Sequence, residues 1–277
     1  MQPLILGAVA YDPKVVTIWE GFRAWFAARG LAFDYVLYSN YERQVEAHFL
    51  GHCDVAWNSP LAWLEAERLA RRRGREARAV AMRDTDQDLT SVVVVKADSP
   101  LRSVADLAGK TVAVGASDSP QATLIPLAHL AGAGLDLGSV RVERFEVGVG
   151  LHGDHIGGER DAARALIGGQ ADAACMIDGN HLLFGREGTL PAGSTRVLTQ
   201  TGAYDHCNFT VLDGCAAPVE RFVELLLGMS YDDPVARPLL DLEGLKQWRP
   251  GRTSGYALLE DAVERFGALD AWLARQG

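Results

Sequence analysis

The chain has 277 residues, 48% hydrophobic and 23% charged, proportions that exclude disordered, collagenous and low-complexity classes and leave ample chain for a full core. Lys and Arg total 27 against 36 Asp and Glu, a net charge of −9. A polyanion-binding surface needs a basic excess, so nucleic acid is not an expected partner.

Short apolar runs alternate with helical patterns from the first residues onward. Residues 4–10 read as a buried strand. A helix follows over 15–29, with Val15, Ile18, Trp19, Phe22, Trp25 and Phe26 at helical spacing and Gly30 closing it. Residues 33–38 are a second strand, 41–50 a second helix and 54–57 a third strand. Asn58 or Ser59 then caps a helix with Pro60 in its first turn, running to about residue 74. The basic run Arg71-Arg72-Arg73 at its end suits the negative pole of the helix dipole. This alternation argues for a parallel sheet with helices on its faces.

The run 91–95 is the most β-branched in the chain. After punctuation at Pro100, Asp106 and Gly109, a second set follows. It comprises strands over 111–115, 140–145, 172–176, 195–199 and 209–212 and helices over 120–133 and 158–167. From residue 218 the chain reads as helical. No fixed-period repeat and no linker interrupts the pattern. Two α/β sets imply two lobes: 1–90 as the first part of lobe 1, 91–200 as lobe 2 with hinge strands, and 201–277 as the return to lobe 1 with C-terminal helices. Ligands of open α/β sheets bind beyond the carboxyl ends of strands, so the expected site is a cleft between the lobes.

The four cysteines, Cys53, Cys175, Cys207 and Cys215, lack CxxC spacing and sit in or beside apolar runs. They read as reduced thiols with no disulfide. No segment reaches the ~18 apolar residues of a membrane span. Residues 2–11 lack a basic n-region and a cleavage site. The expected location is therefore cytoplasmic for the chain as it stands, or periplasmic or lipid-anchored if a leader was trimmed.

One stretch carries a family likeness. Residues 91–115, Ser-Val-Val-Val-Val-Lys-Ala-Asp-Ser-Pro-Leu-Arg-Ser-Val-Ala-Asp-Leu-Ala-Gly-Lys-Thr-Val-Ala-Val-Gly, resemble the hinge strand and second-lobe entry of type II periplasmic binding proteins. Within that group they are similar to the phosphate/phosphite/phosphonate-binding subunits of ABC importers. Residues 160–174, ending Gly-Gly-Gln-Ala-Asp-Ala-Ala, residues 51–57, Gly-His-Cys-Asp-Val-Ala-Trp, and the C-terminal Trp248 and Gly255-Tyr256 fit the same pattern. The resemblance covers nearly the whole chain. It implies a two-lobed α/β fold, a small-molecule ligand and, if the chain is exported, an ABC permease as partner. Those subunits carry a Ser/Thr-Ser-Gly turn after the second-lobe strand. Here Ser117-Asp118-Ser119-Pro120-Gln121-Ala122-Thr123 stands instead. It keeps hydroxyls and a helix N-terminus for an anion, while Asp118 adds a carboxylate and Pro120 removes an N–H. The family's Gly/Ser-His-Asp element is best matched by His155.

The residues set out for ligand binding stand at strand ends. Tyr11 and Lys14 follow the first strand, Tyr38 and Asn40 the second, Trp57 and Asn58 the third. Capping and core packing are the competing roles of these residues. In the second set they are Ser117, Ser119, Gln121, Thr123, His152, Asp178 and His181. Residues 83–88 read as a solvated acidic turn, or as one in which Asp84 or Asp86 meets a cationic group of the ligand. Two function classes follow. The main reading is a protein that closes two lobes over a polar or anionic metabolite, phosphonate-like or a carboxylate. The alternative is a cytoplasmic lyase or decarboxylase on the same fold, with His155 as general acid/base, His206 second and Cys207 as nucleophile. Alternation along an extended segment would turn the adjacent His206 and Cys207 to opposite faces. No cofactor and no metal site is expected, because the His152-x-x-His155 pair has no firm further ligand.

Overall fold

A computed structural model describes residues 3–146 and 155–276. The first elements in chain order are β1 (Leu4–Val9), α1 (Lys14–Ala27), β2 (Phe33–Tyr38), α2 (Tyr41–Phe49), β3 (Val55–Asn58), α3 (Pro60–Arg72) and β4 (Ala77–Arg83). Then come β5 (Ser91–Lys96), β6 (Thr111–Val114), α4 (Ile125–Gly132), β7 (Arg141–Arg144), α5 (His155–Gly168), β8 (Ala173–Ile177), α6 (Asp178–Glu187) and β9 (Thr195–Gln200). The chain closes with β10 (Asn208–Leu212), α7 (Val219–Leu227), α8 (Arg237–Glu243), β11 (Trp248–Pro250), α9 (Ala257–Phe266) and α10 (Asp270–Arg275). Residues up to 87, 205–256 and those from 271 onward form one compact unit; residues 88–204 and 257–270 form a second.

The first unit is built on a six-stranded sheet in the order β11-β4-β10-β3-β1-β2. β1 runs parallel to β2 and β3, whereas β10 enters antiparallel between β3 and β4, with Asn208 opposite Asn58 and Phe209 opposite Trp57. That register brings the residues just before β10 to the carboxyl end of β3. Helix α1 turns Val15, Ile18, Trp19, Phe22, Trp25 and Phe26 onto the sheet, the spacing of one helical face. Their rings join Phe33, Trp57, Phe209, Phe222 and Trp248, with centroids 4.6 Å apart for Trp57–Phe209 and 5.2 Å for Phe209–Trp248. At this density a Phe→Ala or Trp→Ala change costs about 3–5 kcal/mol. Gly7 is required by packing, because a Cβ there would lie 2.8 Å from Cys53 Sγ.

In the second unit the order is β7-β6-β8-β5-β9, with β5 antiparallel to β8 and β9 and β6 parallel to β7 and β8. The β-branched run of β5 alternates as a strand buried on both faces must. Val92 and Val94 pack with Ala162, Leu166, Met176 and Phe184, while Val93 and Val95 pack with Leu107, Leu127, Leu130 and Cys175. The turn after β6 begins a wide helical turn over Pro120–Leu124, capped by Ser119 Oγ, which accepts from Ala122 N at 3.2 Å. The start of α5 lies against it: a Cβ on Gly158 would meet Phe145 O at 2.6 Å and Ala116 N at 3.2 Å.

Three elements were not anticipated from the sequence. β4 spans seven residues interrupted by Arg78 and closed by Arg83, and β11 has three residues. The run Asp178-Gly179-Asn180 reads as a turn but opens helix α6, which ends at Gly188 in the left-handed conformation. All four cysteines carry free thiols; Cys53, Cys175 and Cys207 are buried. No helix among the described residues is long and apolar enough to cross a membrane.

Candidate functional site

The densest group of chemically capable side chains in the first unit lies where β4 ends and β10 begins. Arg83 is the last residue of β4, and a short 3-10 turn, Asp84–Asp86, follows it. Arg83 grips the Asp86 carboxylate with two donors, Nε to Oδ2 at 2.6 Å and Nη2 to Oδ1 at 2.8 Å. Its Nη1 donates to the Glu243 carbonyl at 3.0 Å and approaches Glu243 Oε1 at 3.4 Å. Its guanidinium lies 5.2 Å from the centroid of the Trp57 ring. Asp86 in turn organises the segment before β10. Its carbonyl accepts from His206 N at 2.8 Å and its Oδ1 from Cys207 N at 3.2 Å. His206 Nδ1 then lies 3.1 Å from Cys207 Sγ and 3.5 Å from Asp86 Oδ1.

A polar chain supports this segment from behind. Gln44 Nε2 donates to Asn58 Oδ1, Asn58 Nδ2 to Thr210 Oγ1, and Thr210 Oγ1 to Asn208 Oδ1. Asn208 Nδ2 donates to Tyr256 Oη, which donates to the His206 carbonyl at 2.6 Å. Gln44, Asn58, Asn208, Thr210 and Tyr256 are all buried. A connected network of this kind fixes backbone position, since each lost link strands a buried partner. Beside it, Arg252 holds Asp205 with two bonds of 2.7 and 2.6 Å.

Charge distribution follows from these contacts. Burial alone would raise Asp86, but the Arg83 charge and hydrogen bonds, helped by His206, hold its carboxyl down at about 2. Glu243 has the weaker contact with Arg83, so burial prevails and pushes it up to about 7. For His206, burial opposes protonation, yet the Cys207 sulfur and Asp86 outweigh it and push the imidazole up to about 10. Burial raises the Tyr11 and Tyr41 hydroxyls, with Glu243 and Cys207 respectively as the next contributions.

The structure corrects three expectations here. Asp86 is not a solvated turn residue awaiting a cationic ligand; it is 1% exposed and committed to Arg83. Asp84 instead accepts from Lys246 N at 3.3 Å. His206 and Cys207 do not face apart, because β10 starts only at Asn208 and alternation does not govern the segment before it. Asp178 and His181 lie on helix α6 rather than in a loop. Arg83, read only as the first residue of the 83–88 turn, was not among the expected site residues; an arginine three residues before an aspartate was the available signal.

The remaining residues fall as follows. Tyr11 is half-buried, with Lys14 Nζ 5.8 Å from its ring centroid at the start of α1. Asn40 caps α2 through Arg43 N, and Ser59, not Asn58, caps α3. Trp57 is core, and Tyr38 packs beside Gly7. Ser117 is exposed and its amide donates to Glu146 Oε1 at 3.0 Å. Gln121 Oε1 and Thr123 Oγ1 are buried without a hydrogen-bond partner. Asp178 Oδ2 accepts from Thr90 Oγ1 at 2.8 Å, and His181 Nε2 lies 3.2 Å from Thr195 Oγ1. His152 lies outside the described residues, and of His155 only its place at the start of α5 is described. The cluster therefore brings together His206 and Cys207 of the catalytic set; the second-unit residues are dispersed over β6–α4 and α6.

Comparison with known proteins fixes the lineage. The structure matches PhnD1 from Prochlorococcus marinus in complex with methylphosphonate with a TM-score of 0.69 at 15% identity, over 95% of this chain and 98% of that one. It matches XAC2383 from Xanthomonas citri bound to ATP with a TM-score of 0.68 at 17% identity, over 95% and 96% of the two chains. The periplasmic aliphatic sulphonate binding protein SsuA from Escherichia coli gives 0.60 at 18% identity, over 98% and 94%. At such identities these matches establish the fold. No curated protein matches the sequence. The family model described as ABC transporter, phosphonate, periplasmic substrate-binding protein matches residues 8–256, and the chain belongs to that family of substrate-binding proteins.

Proposed function

We propose that this chain captures a small phosphonate- or sulfonate-type oxyanion outside the cytoplasmic membrane and presents it unchanged to an ABC permease. The observation that carries this reading is the family match over residues 8–256. The turn after β6 supports the oxyanion class. The Ser117 amide already donates to a carboxylate oxygen of Glu146 at 3.0 Å, so it points at a position that suits anionic oxygen. Ser117 in the second unit, and Tyr11 and Lys14 in the first, are the residues we assign to the solute, whereas Ser119 is buried and caps the turn after β6. Asn40 and Asn58 serve the scaffold instead.

In this reading Glu146 competes with the solute for the Ser117 amide. Titration calorimetry with methylphosphonate tests it: Glu146→Gln should tighten binding about tenfold, some 1.4 kcal/mol. Unchanged affinity would remove this turn from the solute site.

One observation favours the catalytic alternative, the 3.1 Å contact between His206 and Cys207. Both close contacts of the ring use the same nitrogen, Nδ1. A relay of the triad kind needs the carboxylate and the nucleophile on opposite nitrogens. The arrangement is therefore a shared-donor cluster, not a relay.

A further inference from the structure

We propose that Cys207, His206 and Asp86 form a binding site for one soft divalent cation of the zinc class. Sγ, Nδ1 and the carboxylate oxygen all lie within 4.8 Å of one another. Atoms bound at 2.0–2.3 Å to a tetrahedral ion stand roughly 3.4–3.6 Å apart. The observed separations are 3.1 Å for Nδ1 to Sγ and 3.5 Å for Nδ1 to Oδ1, with Sγ within 4.8 Å of the carboxylate, so the Nδ1 separations already suit the ion and Sγ and the carboxylate would draw together around it.

The donor set selects the metal. Sulfur with imidazole suits zinc and disfavours magnesium or calcium, which prefer oxygen alone. Three protein ligands leave a fourth position for water. The surroundings are those of a supported site. Arg83 holds both oxygens of the Asp86 carboxylate, Nε on Oδ2 and Nη2 on Oδ1, Cys207 N also reaches Oδ1, and Tyr256 anchors the His206 carbonyl. Arg83 also brings a positive charge that opposes a cation. Glu243, 3.4 Å from Arg83 Nη1, offsets it. With the sulfur deprotonated on the metal, Asp86 and Cys207 supply two negative charges against the dication. His206, whose side chain is 20% exposed, gives the ion its entry path.

The site is independent of the solute reading and is tested with metal alone. Chelator-stripped, reduced protein is titrated with Co²⁺ and followed by absorbance. The expected result is one equivalent bound, with a sulfur-to-cobalt charge-transfer band and the intense d–d bands of a four-coordinate site. Cys207→Ser should abolish the charge-transfer band, and His206→Gln should weaken binding roughly tenfold or more. A second measurement needs no variant: Zn²⁺ should protect Cys207 from alkylation, read by peptide mass spectrometry, and leave Cys215 reactive. A wild-type titration without a charge-transfer band, or protection centred on Cys53 or Cys215, would overturn the proposal.

Discussion

Replacing Asp86 by Asn isolates the group on which the first-unit cluster depends. The substitution keeps shape but removes the charge that Arg83 grips at 2.6 and 2.8 Å. Two routes give the size of the effect. The Asp86 carboxyl falls from 3.8 to about 2 on folding, which at about 1.4 kcal/mol per unit is roughly 2–3 kcal/mol. Breaking a buried pair by removing one partner costs about 3–5 kcal/mol. Arg83 keeps Glu243 as a weaker acceptor, so the lower end applies, about 3 kcal/mol. For a chain of this length that is a Tm drop of roughly 6–12 °C at neutral pH. The sign with pH is fixed. A depressed carboxyl contributes stability above its unfolded value of 3.8, and that contribution is lost as pH falls through about 2. Calorimetric melts or urea titrations of both proteins from neutral to acid pH measure it. The wild-type advantage should shrink towards the acid limit. A loss under about 1 kcal/mol at neutral pH, or a difference that does not change with pH, would refute the reasoning.

Further predictions concern the neighbouring groups. Glu243 is raised from 4.5 to about 7, so stability present below 4.5 is lost as pH rises through about 7. In Glu243→Gln that slope should vanish, and a slope identical to wild type would count against the assignment. His206 is raised from 6.5 to about 10; its stabilisation is complete below 6.5 and lost as pH rises through about 10. Its NMR titration midpoint should therefore be alkaline in wild type and fall in Asp86→Asn. Gly158→Val places a side chain where even a Cβ stands 2.6 Å from Phe145 O. It should cost at least ~2 kcal/mol in urea unfolding, and a neutral result would show that the start of α5 can move away.

Legibility in the sequence followed burial. The strands β1, β5 and β6 and the helix α1 announce themselves because each buries a whole face, so the apolar residues of that face repeat without interruption. β4 hides because Arg78 and Arg83 break its pattern, although Ala81 and Met82 are fully buried. The turn after β6 was readable from its hydroxyls and proline. The Arg83–Asp86–His206–Cys207 cluster was not, because His206 and Cys207 stand about 120 residues from Arg83 and Asp86 and meet them only through the antiparallel entry of β10 beside β4. Local spacing carries no trace of that register, and the opposite-face rule for His206 and Cys207 failed for the same reason.

The central claim, reversible capture without chemistry, is tested most directly by equilibrium dialysis of wild-type protein against methylphosphonate and short alkanesulfonates. The solute is recovered afterwards and assayed by NMR. The account predicts saturable one-to-one binding of at least one of these oxyanions, with all of it recovered intact. No saturable binding to any of them, or loss of the solute to a product, would contradict it.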